Sequence, residues 1–278
     1  MPYVKFAFLG ALVLFLYYRE ISSMVTVWFN DEAYSHGFLI PLISGYLVWT
    51  KRDLLRTTLI GSDSKGFFLL LIGIMLLLIG NAAFEQFTMR VSLLVTVSGL
   101  IYILMGKRMF EELMFPLGYL IFMIPFPYII MKNIAVGLKL FNAKITYKVI
   151  SLSGIPILQE GANLELPNIS LVVGDFCTGV LSIVAISAIS VLYAYLTQKK
   201  MVSRIILVVL ALPIAIFSNT VRLISTVILA YYFGEKALGS FFHQFHGTVN
   251  FLFTILFLAL VGKFIRRIDE KVTGGVLS

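Results

Sequence analysis

The chain has 278 residues, of which 59% are hydrophobic and 13% charged, and it carries a formal net charge of +8. Soluble domains carry about 25% charged residues, so this composition excludes an ordinary soluble protein and predicts an all-α polytopic membrane protein. The basic residues fall in short clusters between apolar runs, which is a topological pattern and not a nucleic-acid footprint, and the single cysteine excludes an intrachain disulfide.

About 17–25 apolar residues cross a bilayer as a helix. In chain order, apolar windows predict spans over residues 3–18, 36–49, 66–84, 91–105, 113–131, 176–196, 204–221 and 248–261. The first window has no convincing cleavage site and reads as a retained span. Leu223–Phe233 is apolar but too short to cross alone, and reads as a half-span or interfacial turn. With eight spans and the N-terminus inside, fourteen of the 22 lysines and arginines fall on the cytoplasmic side. Both termini are therefore expected in the cytoplasm, in one integral membrane domain covering residues 1–278.

One sizeable extramembrane region remains, the outer loop 132–175. In its first half Ile134, Leu138, Phe141, Ile145 and Val149 recur at helical spacing among Lys132, Lys139, Lys144 and Lys148. That pattern predicts an amphipathic helix lying in the lipid headgroups, or a solvated connecting helix. In its second half, short β-prone runs broken by Gly161 and Pro167-Asn168 predict a small hairpin, lining a peptide groove or capping the bundle. Asn168-Ile-Ser170 also matches a glycosylation triplet, a frequent chance match.

Three reactive residue types converge on the outer face. Cys177 lies in Val173-Gly-Asp-Phe-Cys-Thr-Gly179, where the loop enters the sixth span. A free cysteine is commonly a small buried hydrophobe, but near a helix start and cationic groups its thiolate is a strong nucleophile. Arg222 ends the seventh span in Asn219-Thr-Val-Arg222, with Asn219 three residues back on the same helical face. A charge this close to a span is paired, snorkelling or functional. His243 and His246 begin the eighth span, and His36 is a third outer histidine. Histidine suits acid–base work near neutral pH. His243, His246 and Cys177 together would number the three ligands of a catalytic zinc, but no carboxylate is placed to help, and the reading without metal or cofactor is preferred. In that reading histidine takes the thiol proton, the thiolate attacks a peptide carbonyl, and arginine stabilises the oxyanion. Asp175 opposes thiolate formation and orients a partner or holds Arg222.

The order of these motifs resembles the exosortase/archaeosortase family of membrane cysteine transpeptidases. The resemblance is carried by Glu160-Gly161, Leu164-Glu-Leu-Pro-Asn168 and Leu171-Val-Val leading into Asp175-Phe-Cys-Thr-Gly179, then by Asn219-Thr-Val-Arg222 and His243-Gln-Phe-His-Gly247. Tyr34-Ser-His-Gly-Phe-Leu-Ile-Pro41 near the N-terminus is similar to a further signature. The resemblance implies a catalytic set of Cys177, Arg222 and His243, with Asp175, Asn219, Thr178, His246 and His36 in support. It implies as substrate the C-terminal sorting signal of an exported protein, with a Pro-Glu-Pro-like motif, a transmembrane helix and a basic tail. The acceptor would be an amine or a surface glycolipid or polysaccharide, and the enzyme would sit among lipids of the bacterial inner membrane with its site outside. Asp175 stands where the family favours glutamate, and Leu181 where a polar residue is common. The rival class is a transporter or polysaccharide-export component, which would show ionisable groups at span midpoints or inverted repeats.

Overall fold

The computed structural model describes residues 2–58, 61–173, 180–234 and 240–274. The chain packs as two compact units, Met1–Pro127 and Tyr128–Ser278. The boundary falls in Ile124-Pro-Phe-Pro127, where two prolines prevent a helix from continuing.

In the N-terminal unit, α1 (Pro2–Leu16) and α2 (Tyr18–Asn30) are bent by 65° around Tyr17. Tyr17 is fully buried, and its hydroxyl lies within hydrogen-bond distance of Ser92 (3.0 Å) and Thr96 (2.9 Å). A 3₁₀ segment, Glu32–Phe38, leads into α3 (Leu39–Thr50) and the short α4 (Arg52–Thr57). Then α5 (Gly66–Ala82) and α6 (Gln86–Tyr119) form an antiparallel hairpin. The only buried residues of α5 are Gly66, Gly73 and Gly80, spaced by seven and so two turns apart on one face. A Cβ on Gly66 would lie 2.5 Å from the Ile103 nitrogen, and one on Gly80 would lie 2.9 Å from the Met89 nitrogen. Gly99 of α6 reciprocates, 2.5 Å from the Leu70 nitrogen on the same measure. These glycines let two backbones touch, which is how helices gain packing where lipid removes the hydrophobic drive. Glu85 caps α6 by accepting from the Phe87 and Thr88 N–H groups. The helix is interrupted at Gly106, whose φ of 83° only glycine adopts readily.

The C-terminal unit begins with α7 (Tyr128–Leu152) and a sheet of β1 (Leu158–Glu160), β2 (Asn163–Leu166) and β3 (Ile169–Val172), followed by α8 (Val180–Thr197), α9 (Met201–Phe233) and α10 (Ser240–Gly274). The strands form an antiparallel meander, so the expected hairpin is two hairpins sharing β2. Gly161, with φ of 62°, takes the first position of the first turn. Leu164, Leu166 and Val173 point inward and pack on Ala143 and Ile150 of α7 and on Leu223 and Val227 of α9. A second core joins Ile186 of α8, Leu207 of α9 and Leu258 of α10.

One expectation is overturned and two gain detail. Leu223–Phe233 is no half-span: it continues α9, and its inner face supports the sheet. At 1.5 Å per residue the 33-residue helix is about 50 Å long, against roughly 30 Å of bilayer hydrocarbon. The helix therefore overshoots the membrane. On α7 the apolar stripe expected to meet lipid is largely exposed, and a different face packs on the unit. Ile134, Phe141 and Val149 are exposed, while Asn142, Ala143, Thr146 and Ile150 are buried. In lipid the apolar face belongs outside and small or polar residues make the helix contact. Finally, by length and composition three described helical stretches are able to cross a membrane: Gln86–Met123, Met201–Phe233 and Gly247–Lys271. The bent pair Phe8–Leu16 and Tyr18–Asn30 would make a fourth, and α5 is apolar but shorter. Apolar windows counted along the sequence are more numerous because 91–105 and the first part of 113–131 fall in the single stretch Gln86–Met123, and because the helices under 66–84 and 176–196 are apolar but shorter than a full span.

Candidate active site

The C-terminal unit brings the predicted site residue Arg222 beside Gly247, which closes the predicted histidine motif. Arg222 lies on α9, half-buried. Its Nη1 comes within 3.8 Å of where a Cβ on Gly247 of α10 would stand. The guanidinium thus lies in van der Waals reach of α10 at this position. His243 precedes Gly247 by four residues and shares its face of α10, whereas His246 is rotated by about 100°. Only the backbone of these two histidines is described. The face of α10 that meets Arg222 is thus the face that carries position 243.

Polar side chains lock α9 in register with its neighbours. Ser218 donates to Asn250 Oδ1 (2.8 Å), and Thr254 hydrogen-bonds the Ser218 hydroxyl (2.6 Å). On the other side, the Thr220 hydroxyl donates to Asn142 Oδ1 of α7 (2.9 Å). Asn142 is fully buried, and Asn219 is 2% exposed. Each of these residues interrupts an apolar run, and that interruption is the sequence signal that would have found them. Within α9, Ser225 and Thr226 both donate to the Arg222 carbonyl (2.8 and 2.9 Å), satisfying it twice inside an apolar helix.

Over this region stands the sheet. Val173 N–H donates to the Ala162 carbonyl (3.1 Å), which sets the phase of the ladder. Leu171 and Ile169 therefore bond toward β2, while Ser170 and Val172 turn their main-chain groups to the outer edge of β3. Asn168, read earlier as a glycosylation or turn position, donates its amide to the Ala230 and Tyr231 carbonyls (3.3 and 2.8 Å). It ties the β2–β3 turn to the last turn of α9. Cys177, Asp175 and Thr178 lie outside the described residues. In sequence Cys177 follows β3 by five residues and precedes α8 by three.

His36 belongs to the N-terminal unit and sits in the 3₁₀ segment before α3, outside the helical spans. Burial pushes its imidazole below the usual histidine range, against hydrogen bonds to the Phe122 and Ala33 backbone that act the other way. Its Nε2 is buried without a hydrogen-bond partner. Its neighbours in the motif have structural tasks in that unit. The Tyr34 hydroxyl accepts from Phe126 N–H (3.2 Å), Trp28 Nε1 donates to the Met123 carbonyl (2.8 Å), and Gly37 lies flat against the Trp28 indole. The signature Tyr34-Ser-His-Gly thus closes the 3₁₀ segment onto residues 122–126.

A family model described as transmembrane exosortase (Exosortase_EpsH) matches residues 28–260. No curated protein matches the chain, and no solved structure does.

Proposed function

The chain belongs to the transmembrane exosortase family, and from that premise we propose that it is a membrane-embedded cysteine peptidase and transpeptidase acting on C-terminal sorting signals of exported proteins. The observation that carries the assignment of residues is the approach of Arg222 to Gly247, on the face of α10 that position 243 shares.

The reaction runs in two balanced halves. His243 takes the proton of the Cys177 thiol, and the thiolate attacks the scissile carbonyl to form a carbon–sulfur bond. Arg222 stabilises the negative charge that develops on the carbonyl oxygen. The carbon–nitrogen bond then breaks, and His243 returns its proton to the leaving amine. An acceptor, an amine or a nucleophile of a surface glycolipid or polysaccharide, attacks the thioester; His243 takes its proton and passes it to the departing cysteine sulfur as the new acyl bond forms. Water in its place gives the free acid. Asn219 braces the α9 segment that carries Arg222, and the family resemblance gives Asp175, Thr178 and His246 supporting roles. The edge of β3 offers Ser170 and Val172 main-chain groups to an extended substrate segment arriving above the site. Eight spans with both termini cytoplasmic would put this end of the unit outside the bacterial inner membrane, where exported substrates arrive.

The test is Cys177→Ala in cells that express a tagged protein ending in a Pro-Glu-Pro-like motif, an apolar helix and terminal arginines. The variant is expected to reach the membrane in normal amount and leave the tagged protein uncut. Normal processing by Cys177→Ala sinks the proposal.

A further inference from the structure

The opposite end of the C-terminal unit carries a second feature that the peptidase reading does not use. Between the C-terminal turns of α8 and α10 lies an open cavity of about 530 Å³. Its neutral wall is already satisfied. The Tyr193 hydroxyl donates to the Ala259 carbonyl (3.1 Å) and Gln198 Nε2 to the Gly262 carbonyl (2.9 Å), so these groups hold α8 to α10 and have little left for a ligand. Gly262 is obligatory there, because a Cβ would run into the Tyr193 ring.

The charged wall differs. Residues 197–204 and 259–271 hold seven lysines and arginines against two carboxylates, Asp269 and Glu270. Both carboxylates are engaged: Asp269 with Lys200 (3.5 Å) and with the Ser203 hydroxyl, Glu270 with Arg266 (2.9 Å). Arg204 donates to the Gln198 carbonyl (2.9 Å) and lies over the Tyr195 ring. Of the remaining four, Lys199, Lys263, Arg267 and Lys271, it is Lys263 and Arg267 that line the cavity, one turn apart on α10 and both exposed. Just along the helix toward its apolar stretch, Leu256, Leu260 and Phe264 are exposed as well. Two cations at a cavity mouth, with apolar side chains below them at the end of a membrane span, match a phosphate headgroup with its acyl chains.

We propose that this cavity binds the headgroup of an anionic phospholipid, with Lys263 and Arg267 on the phosphate and an acyl chain along Leu260 and Phe264. The lone carboxylate in the lining, Glu270, is held by Arg266 and turns the ligand toward Lys263 and Arg267. Phosphate chemistry is common to a lipid and to free phosphate; the apolar stripe below the cations favours the lipid.

The full-length protein is purified in a neutral detergent, and its thermal unfolding is followed while phosphatidylglycerol, phosphatidylcholine of the same acyl chains, or inorganic phosphate is added. Phosphatidylglycerol is expected to raise the unfolding temperature saturably, and the other two to leave it unchanged. An equal rise with inorganic phosphate overturns the lipid assignment, and an equal rise with phosphatidylcholine overturns the headgroup. Lys263→Gln with Arg267→Gln should weaken phosphatidylglycerol binding about 30-fold, from roughly 1 kcal/mol per basic residue. Lys144→Gln with Lys148→Gln, which removes the same charge from exposed positions on α7, should weaken it less than about threefold. Equal weakening by the two pairs means diffuse attraction and overturns the site. If the first pair does not fold, each single substitution is measured, with about a fivefold loss expected from either; no loss from both overturns the proposal.

Discussion

Arg90 of the N-terminal unit and Arg222 of the C-terminal unit both lie on largely apolar helices, and the two are built differently. Arg90, on α6, is 3% exposed. Its Nη2 donates to Ser23 and Gln86 (3.0 Å each), and its Nε faces the Glu20 carboxylate at 4.0 Å. Arg222, on α9, is half-buried and lies close to Gly247 of the neighbouring helix. The cost of placing a guanidinium in a membrane is the same argument for both. A carboxylate and two amide or hydroxyl acceptors absorb Arg90 into the fold, whereas Arg222 stands beside the α10 motif that the proposed reaction uses.

The sharpest way to break this contrast is to remove Arg90. Arg90→Leu leaves the Glu20 carboxylate buried without its partner, and losing one member of such a pair costs about 3–5 kcal/mol. Denaturant unfolding of the purified variant should show that loss, and Glu20→Leu added to Arg90→Leu should recover much of it. An Arg90→Leu protein as stable as the parent would mean that Arg90 is not structural.

Arg222→Gln should do the opposite. Processing of the tagged sorting-signal protein should fall by about 10²–10³-fold, the usual loss on removing one oxyanion donor. Thermal unfolding should shift by only a few degrees, because Thr220 and Ser218, not Arg222, fix the register of α9. Wild-type processing by Arg222→Gln would leave the two arginines alike, and would remove the reason for choosing His243 by its shared face with Gly247.

Little in the residue order alone separates the two arginines. Both sit near apolar runs, and only Arg222 lies in a recognisable motif. What was legible came from local chemistry: Gly161 and Pro167-Asn168 marked the turns of the sheet, and the three-and-four spacing of residues 134–149 marked α7 as a helix. What was not legible depended on the surroundings. The packing face of α7 was hidden because Asn142 and Thr146, not the apolar stripe, turn inward. The run after Val221 looked too short to cross, but the sheet lengthens the demand on α9, so the helix continues as its support. The span over 66–84 was legible, but not that Gly66, Gly73 and Gly80 are its contact face, because that depends on the helix beside it.

The smallest predicted effect concerns pH and separates the units through their histidines. His36 is buried and its imidazole titrates below the ordinary value of 6.5. An imidazole whose folded value is depressed favours folding while both states are neutral, above the unfolded value. As pH falls from about 7 toward 5 the unfolded chain binds the proton first, so that contribution is lost. The unfolding temperature of the wild type should therefore fall modestly over that range, and His36→Gln, which does not titrate, should give a flatter profile. Processing activity also declines in acid if His243 must accept the thiol proton, and that decline should be the same in His36→Gln as in the wild type. An activity profile displaced by His36→Gln would tie the N-terminal histidine to the chemistry and erase the division of labour between the units. Superimposable stability profiles would show instead that His36 is not titrating where its burial requires.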